Sequence, residues 1–136
     1  MKVKLLEYGI LPKKGREGDA AWDIYLPTAL MIHPHSTAIV DLGVCVEIPE
    51  GYAGMLVIRS SVSKKGILVQ PPLIDSNYRG EIHLILFNMS DEVFFAEEND
   101  RLCSLLVFPV YNKELEVVDE LSESNRGTNW SGSSGK

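Results

Sequence analysis

Apolar residues recur at every second position over several stretches of the chain: Val3 and Leu5, then Val44, Val46 and Ile48, then Ile82, Leu84 and Leu86. A period of two sends alternate side chains to opposite faces of an extended backbone, so these stretches predict strands with one face turned inward. Turn-forming residues fall between them at short intervals, at Leu26-Pro27-Thr28, His33-Pro34-His35, Pro49-Glu50-Gly51, Pro71-Pro72, and from Asn88 to Asp91. No long window has helical periodicity. Arg59 to Gly66 accommodates one helical turn, and Leu115, Val118 and Leu121 fit helical spacing as well as Leu115 and Val117 fit a strand. The pattern predicts an all-β antiparallel sandwich with its apolar residues between two sheets.

Beyond Leu121 the composition shifts to SESNRGTNWSGSSGK, in which Trp130 is the one large apolar side chain. Such a segment cannot form a strand of the core. The division expected is a β domain over 1–121 and an arm over 122–136, read either as a frayed tail or as a mobile strap. As a strap it would offer Arg126, serine hydroxyls and accessible backbone N–H groups to a phosphate chain.

Length and composition narrow the class. A chain of 136 residues that is 45% hydrophobic has the usual size of one domain with one core. The net charge of −6 argues against a nucleic-acid surface, which needs Lys and Arg gathered on one face. A small anion needs only a local cluster of donors, and the arginines at 59, 79, 101 and 126 are available to form one. Cys45 and Cys103 sit in apolar runs without metal-type spacing and read as buried free thiols. No apolar run is long enough to cross a membrane, and the expected location is the cytoplasm. His33-Pro34-His35 has the look of a metal pair, but no third ligand stands at useful spacing.

Three segments carry residues out of place in a plain core. Ala20-Ala21-Trp22-Asp23 sets an acid in an apolar stretch. Arg59-Ser60-Ser61 ends the run Met55-Leu56-Val57-Ile58, and Ile74-Asp75-Ser76-Asn77-Tyr78-Arg79-Gly80 opens another strand. Singly, each reads as a turn or a solvated cap. Together they supply an acid for a metal, hydroxyls and a guanidinium for phosphate, and a second acid beside an aromatic for a sugar, which is the equipment of nucleotide hydrolysis.

With these segments in view, the chain resembles the trimeric dUTPase family through five motifs in order. They are DAAWDIYL from Asp19 to Leu26, RSSVSKKG from Arg59 to Gly66, PLIDSNYRGE from Pro72 to Glu81, NDRLCSLLVFP from Asn99 to Pro109, and RGTNWSGSSG from Arg126 to Gly135. The segment IPEGYAG, from Ile48 to Gly54, also matches the family's approach to the second motif. The resemblance implies a distorted jelly-roll β-sandwich, a homotrimer whose sites each draw on all three subunits, and a C-terminal arm that crosses to a neighbour. It implies hydrolysis of dUTP to dUMP and pyrophosphate with Mg²⁺, and no nucleic-acid or membrane partner.

By the same resemblance Asp75 activates the water that attacks the α-phosphate, and Asp23 holds hydrated Mg²⁺ through water. Arg59, Ser60, Ser61 and Arg126 donate to the phosphates. Tyr78 stacks on the deoxyribose and excludes a 2′-hydroxyl. The hairpin from Val69 to Ile74, including Gln70, Pro72, Leu73 and Ile74, reads uracil with His83 beside it. Trp130, Ser131, Gly132, Ser133 and Ser134 belong to the closing arm.

Three positions depart from the family pattern. Pro72 stands where a glycine is usual and has no N–H to donate, so the uracil is expected to use neighbouring amides or Gln70. Ser104 replaces a glutamine in the fourth motif; it is counted with Asp75 among the catalytic residues and is expected to make a shorter or bridged contact to a phosphate or water. Ser131 falls where the lid phenylalanine is usual, and Trp130 is expected to cap the base instead. Asp100 and Arg101 read as a structural ion pair. Two alternatives stay open: a dCTP deaminase of the same fold, and a non-catalytic nucleotide sensor acting on a regulatory protein partner, as some phage-type members do.

Overall fold

The computed structural model describes residues 1–125, 127 and 128. Its strands are β1 (Lys2–Leu5), β2 (Ala21–Tyr25), β3 (Leu30–Ile32), β4 (Thr37–Glu47), β5 (Tyr52–Ile58), β6 (Ile67–Gln70), β7 (Leu73–Ile74), β8 (Glu81–Asn88), β9 (Phe94–Ala96) and β10 (Arg101–Pro109), with one short helix, α1 (Ser60–Ser63). They form a four-stranded sheet ordered β1-β4-β8-β6, a second ordered β2-β10-β5-β7, and a two-stranded ribbon β3-β9. Every pairing is antiparallel.

The alternation read from the sequence is the mechanism of assembly. In β8, Ile82, Leu84, Leu86 and Asn88 are buried while the residues between them face outward. Leu84 and Leu86 join Leu42, Val44, Leu56, Ile67 and Leu105 in one core. Truncating a leucine enclosed on all sides to alanine costs about 2–5 kcal/mol, so this inner layer fixes the register of both sheets. Asn88 is the polar exception. Its amide donates to the carbonyls of Ile32 and Glu92 at 3.0 and 2.7 Å, and its Oδ1 accepts from Ser90, which ties the turn after β8 to β3.

Alternation fails in β4, where Leu42 through Val46 are all buried. The cause is a bulge: the pairing with β8 passes from Asp41↔His83 to Cys45↔Glu81, so three residues of β4 stand opposite one of β8. Gly43 lies inside it with φ of 66°, a left-handed conformation that a side chain disfavours. The backbone of Gly9 packs directly on Gly43, leaving no room for a Cβ at either position.

The predicted helical turn appears as α1. The segment around Leu115, Val118 and Leu121 is neither helix nor strand; Leu115 is 90% and Leu121 88% exposed. Spacing alone gave these residues an apolar face that the described residues leave largely exposed. Regular structure among the described residues ends at Pro109. Both cysteines are buried and free, as expected. Among the described residues no helix is long and apolar enough to cross a membrane.

Candidate active site

The site residues read from the sequence separate into two groups. The first surrounds a cavity of about 240 Å³ lined by Pro72, Leu73, Ile74, Asp75, Tyr78, Glu81, Ile82, His83 and Ile85. Its walls are β7, the turn after it, and the outward face of β8. Asp75 follows the last residue of β7, and its carbonyl accepts the N–H of Tyr78 at 3.1 Å, which closes a tight turn. That turn brings the phenol back over the chain, where its hydroxyl donates to the carbonyl of Glu81 at 2.8 Å. Gly80 makes this possible, since a Cβ there would stand 2.6 Å from Cζ of the ring. Gln70 ends β6 opposite Ile85, at the edge of the same wall.

Nδ1 of His83 donates to Oδ1 of Asp41 at 2.8 Å, across the rung that pairs them. Asp41, Glu81 and His83 offer metal-type ligand atoms within 4.8 Å of one another. The Glu81 carboxylate is already engaged, accepting the Tyr8 hydroxyl at 2.9 Å and the N–H of Gly43 at 2.6 Å. The bond to Glu81 raises the Tyr8 pKa above the ordinary 10.0, so the phenol stays a donor. Sequence reading placed His83 at the base but missed its meeting with Asp41, which lies about forty positions away and reaches it only across the β4–β8 ladder. His33-Pro34-His35 takes no part: His35 pairs with Asp91 at 2.8 Å on the surface.

The second group gathers on Asp23, which is 7% exposed. Ser104 on β10 stands opposite it on the neighbouring strand and donates its hydroxyl to Oδ1 at 2.8 Å. Arg59 donates to the same oxygen at 2.6 Å and Arg101 to Oδ2 at 3.0 Å. Burial pushes the Asp23 pKa up, but the Ser104 hydroxyl and the two guanidinium groups outweigh it and hold the carboxyl below its ordinary 3.8. A carboxylate oxygen has two lone pairs, so Oδ1 is filled and Oδ2 keeps one for a water. That vacant acceptor suits a cation that retains its hydration shell.

Arg101 therefore pairs with Asp23 rather than with its neighbour Asp100, whose carboxylate accepts the N–H of Glu97 at 2.9 Å. Adjacent residues on a strand point to opposite faces, so a pair next to each other in sequence is poorly placed to meet. Cys103 lies beside this cluster, and burial, helped by Asp23, pushes its thiol up to about 12. Arg59 follows β5 in an extended conformation and caps the start of α1. Ser60 and Ser61 are exposed there, and as the first residues of the helix their N–H groups have no intrahelical acceptor.

One chain does not bring these groups together. Ile74 pairs with Gly54, which sets Asp75 level with Ala53, whereas Arg59 lies at the far end of β5. At the rise of a strand that separation is roughly 20 Å, more than an arginine side chain spans. Arg126, Trp130, Ser131, Gly132, Ser133 and Ser134, expected to close over the nucleotide, lie outside the described residues.

The family model described as dUTPase matches residues 7–135. A deoxyuridine 5'-triphosphate nucleotidohydrolase of Picosynechococcus sp. is 38% identical over 98% of this chain and 96% of its own length. One from Escherichia phage T5 is 39% identical over 99% of this chain and 98% of its own. Among solved structures, a mutant dUTPase of Staphylococcus bacteriophage 80alpha with dUpNHpp superposes with a TM-score of 0.92 at 28% identity, covering 99% of this chain and 98% of that one. A mutant dUTPase from phage phi11 of S. aureus, described with a structural Mg(II) ion, has a TM-score of 0.81 at 26% identity over 88% of this chain and 96% of that one.

Proposed function

This chain belongs to the dUTPase family, and on that premise we propose that it hydrolyses dUTP to dUMP and pyrophosphate with Mg²⁺ as cofactor. The observation that carries the reading is the cavity in which an exposed carboxylate, Asp75, stands beside a phenol folded over Gly80. Asp75 orients and deprotonates the water that attacks the α-phosphate. General-base help of this kind is worth about 10²–10⁴ in rate. Tyr78 fills the space beside the sugar that a 2′-hydroxyl needs. Pro72, Leu73, Ile74 and His83 line the base end, and Gln70 borders it.

Arg59, with the hydroxyls and free N–H groups of Ser60 and Ser61, donates to the phosphates. Phosphoryl transfer depends mainly on positioning and on neutralising developing charge, which these donors supply without moving. Asp23 and Ser104 hold Arg59 and Arg101 in place, and Asp23 reaches hydrated Mg²⁺ through its remaining acceptor. When bound, Mg²⁺ supplies charge neutralisation along the triphosphate. Arg126 and the arm from Trp130 to Ser134 close over the nucleotide.

The separation of roughly 20 Å between Arg59 and Asp75 along the strand supports a homotrimer in which one subunit lends the phosphate donors and another the base and sugar cavity. The deaminase alternative gives way, because the matched family model and the curated relatives are dUTPases. Pyrophosphate release from dUTP, set against dCTP, dTTP and UTP with and without Mg²⁺, tests base, sugar and metal together. Release from dUTP alone, abolished by chelation, is expected. Saturable binding of dUTP with Mg²⁺ and no cleavage would refute the reading.

A further inference from the structure

Glu81 makes contacts on both sides of the cavity wall. Its carbonyl accepts the Tyr78 hydroxyl at 2.8 Å, while its carboxylate accepts the N–H of Gly43 at 2.6 Å and the hydroxyl of Tyr8 at 2.9 and 3.0 Å. We propose that Glu81, and Tyr8 acting through it, are positioning residues that hold Tyr78 in place and thereby set the preference for deoxyribose over ribose. This rests on the dUTP reading above.

The latch originates at the bulge in β4. Between Asp41↔His83 and Cys45↔Glu81 the β4–β8 ladder is interrupted, and the N–H of Gly43 falls within the gap. A backbone donor left without a strand partner must find another acceptor, and the Glu81 carboxylate is that acceptor. The same carboxylate is gripped from the other side by Tyr8, whose segment is stitched to the bulge by the bond from the Leu6 N–H to the Gly43 carbonyl at 2.9 Å. The latch therefore holds residue 81, the first rung beyond the bulge, through its side chain in addition to its backbone pairing with Cys45. Tyr78 takes its ring position from the carbonyl of that residue. Displacements of about 1 Å at a reacting centre change rates substantially, so looseness at Glu81 is transmitted to the sugar slot.

The test is the ratio of kcat/KM for dUTP over UTP in Tyr8→Phe, Glu81→Ala and Glu81→Gln. Loss of the latch in Glu81→Ala is expected to lower the ratio about three- to tenfold, with Tyr8→Phe smaller in the same direction. Glu81→Gln keeps an acceptor oxygen and is expected to recover most of the preference. In a Tyr78→Phe background, Glu81→Ala is expected to change the ratio no further, because the route through the phenol is already cut. An unchanged ratio in both Tyr8→Phe and Glu81→Ala, with only a lower melting temperature, would overturn the proposal and leave a stabilising role. So would a ratio that Glu81→Ala still shifts in the Tyr78→Phe background. Tyr8→Phe removes one exposed hydroxyl and carries the test if Glu81→Ala does not fold. Should the unmodified protein release no pyrophosphate, the dUTP reading fails by itself, and the latch is then read from the Kd ratio of dUMP over UMP.

Discussion

The hydroxyl of Ser104 meets Oδ1 of Asp23 at 2.8 Å, across a rung joining β10 to β2. A short side chain thus completes the shell of a buried carboxylate that also binds Arg59 and Arg101. Ser104→Ala removes one of those three donors. A stability loss of about 1–3 kcal/mol is expected in urea unfolding, together with weaker dUTP binding as Arg59 loosens.

Acid unfolding should report on the same carboxylate. The Asp23 pKa is depressed in the folded state, so its contribution is fully present above the ordinary value of 3.8. It declines as the pH falls below that value and is gone once the folded carboxyl protonates. Asp23→Asn is expected to be less stable at pH 7 and to show a flatter loss of stability in acid. Parallel urea midpoints between pH 7 and the acid transition, with the same steep acid limb in both proteins, would contradict this assignment.

Asp75 is exposed and its change should be chemical rather than structural. Asp75→Asn is expected to lower kcat about 10²–10⁴-fold while leaving the melting temperature and dUTP affinity near those of the parent. Single-turnover kinetics beside a thermal melt separates the two effects.

Gly80→Ala tests the sugar slot from the other direction. The added Cβ would meet the Tyr78 ring, with Cζ at 2.6 Å, and force the phenol off the carbonyl of Glu81. The expected result is a higher KM for dUTP and increased turnover of UTP relative to dUTP, measured by pyrophosphate release.

The proposed division of the site between subunits predicts complementation. Asp75→Asn and Arg59→Gln are each expected to be inactive, yet co-refolded in equal amounts they should regain roughly a quarter of parental activity, because random three-fold assembly reunites an intact Asp75 with an intact Arg59. Mixtures as inactive as their components would place both residues on one subunit's own site.

Much of this was legible from period and punctuation. Ile82, Leu84 and Leu86 announce β8, and Pro49-Glu50-Gly51 announces the turn before β5, because alternation and turn chemistry are local properties. Asp75 and Tyr78 were found together since one tight turn joins them. The partners of Asp23 were harder. Ser104 and Arg101 lie about eighty positions away and meet it only through the strand order β2-β10-β5. Glu81 with Tyr8 and Asp41 with His83 were invisible for the same reason, and the bulge that brings them together is marked in sequence only by Gly43. Leu115, Val118 and Leu121 misled because their spacing suits two structures and this chain uses neither.

Cys103, sealed beside the arginine cluster and held protonated with its pKa at about 12, gives peroxide or an alkylating reagent neither a thiolate nor a path. The strand that carries Ser104 and Arg101 thus presents no reactive thiol at that position.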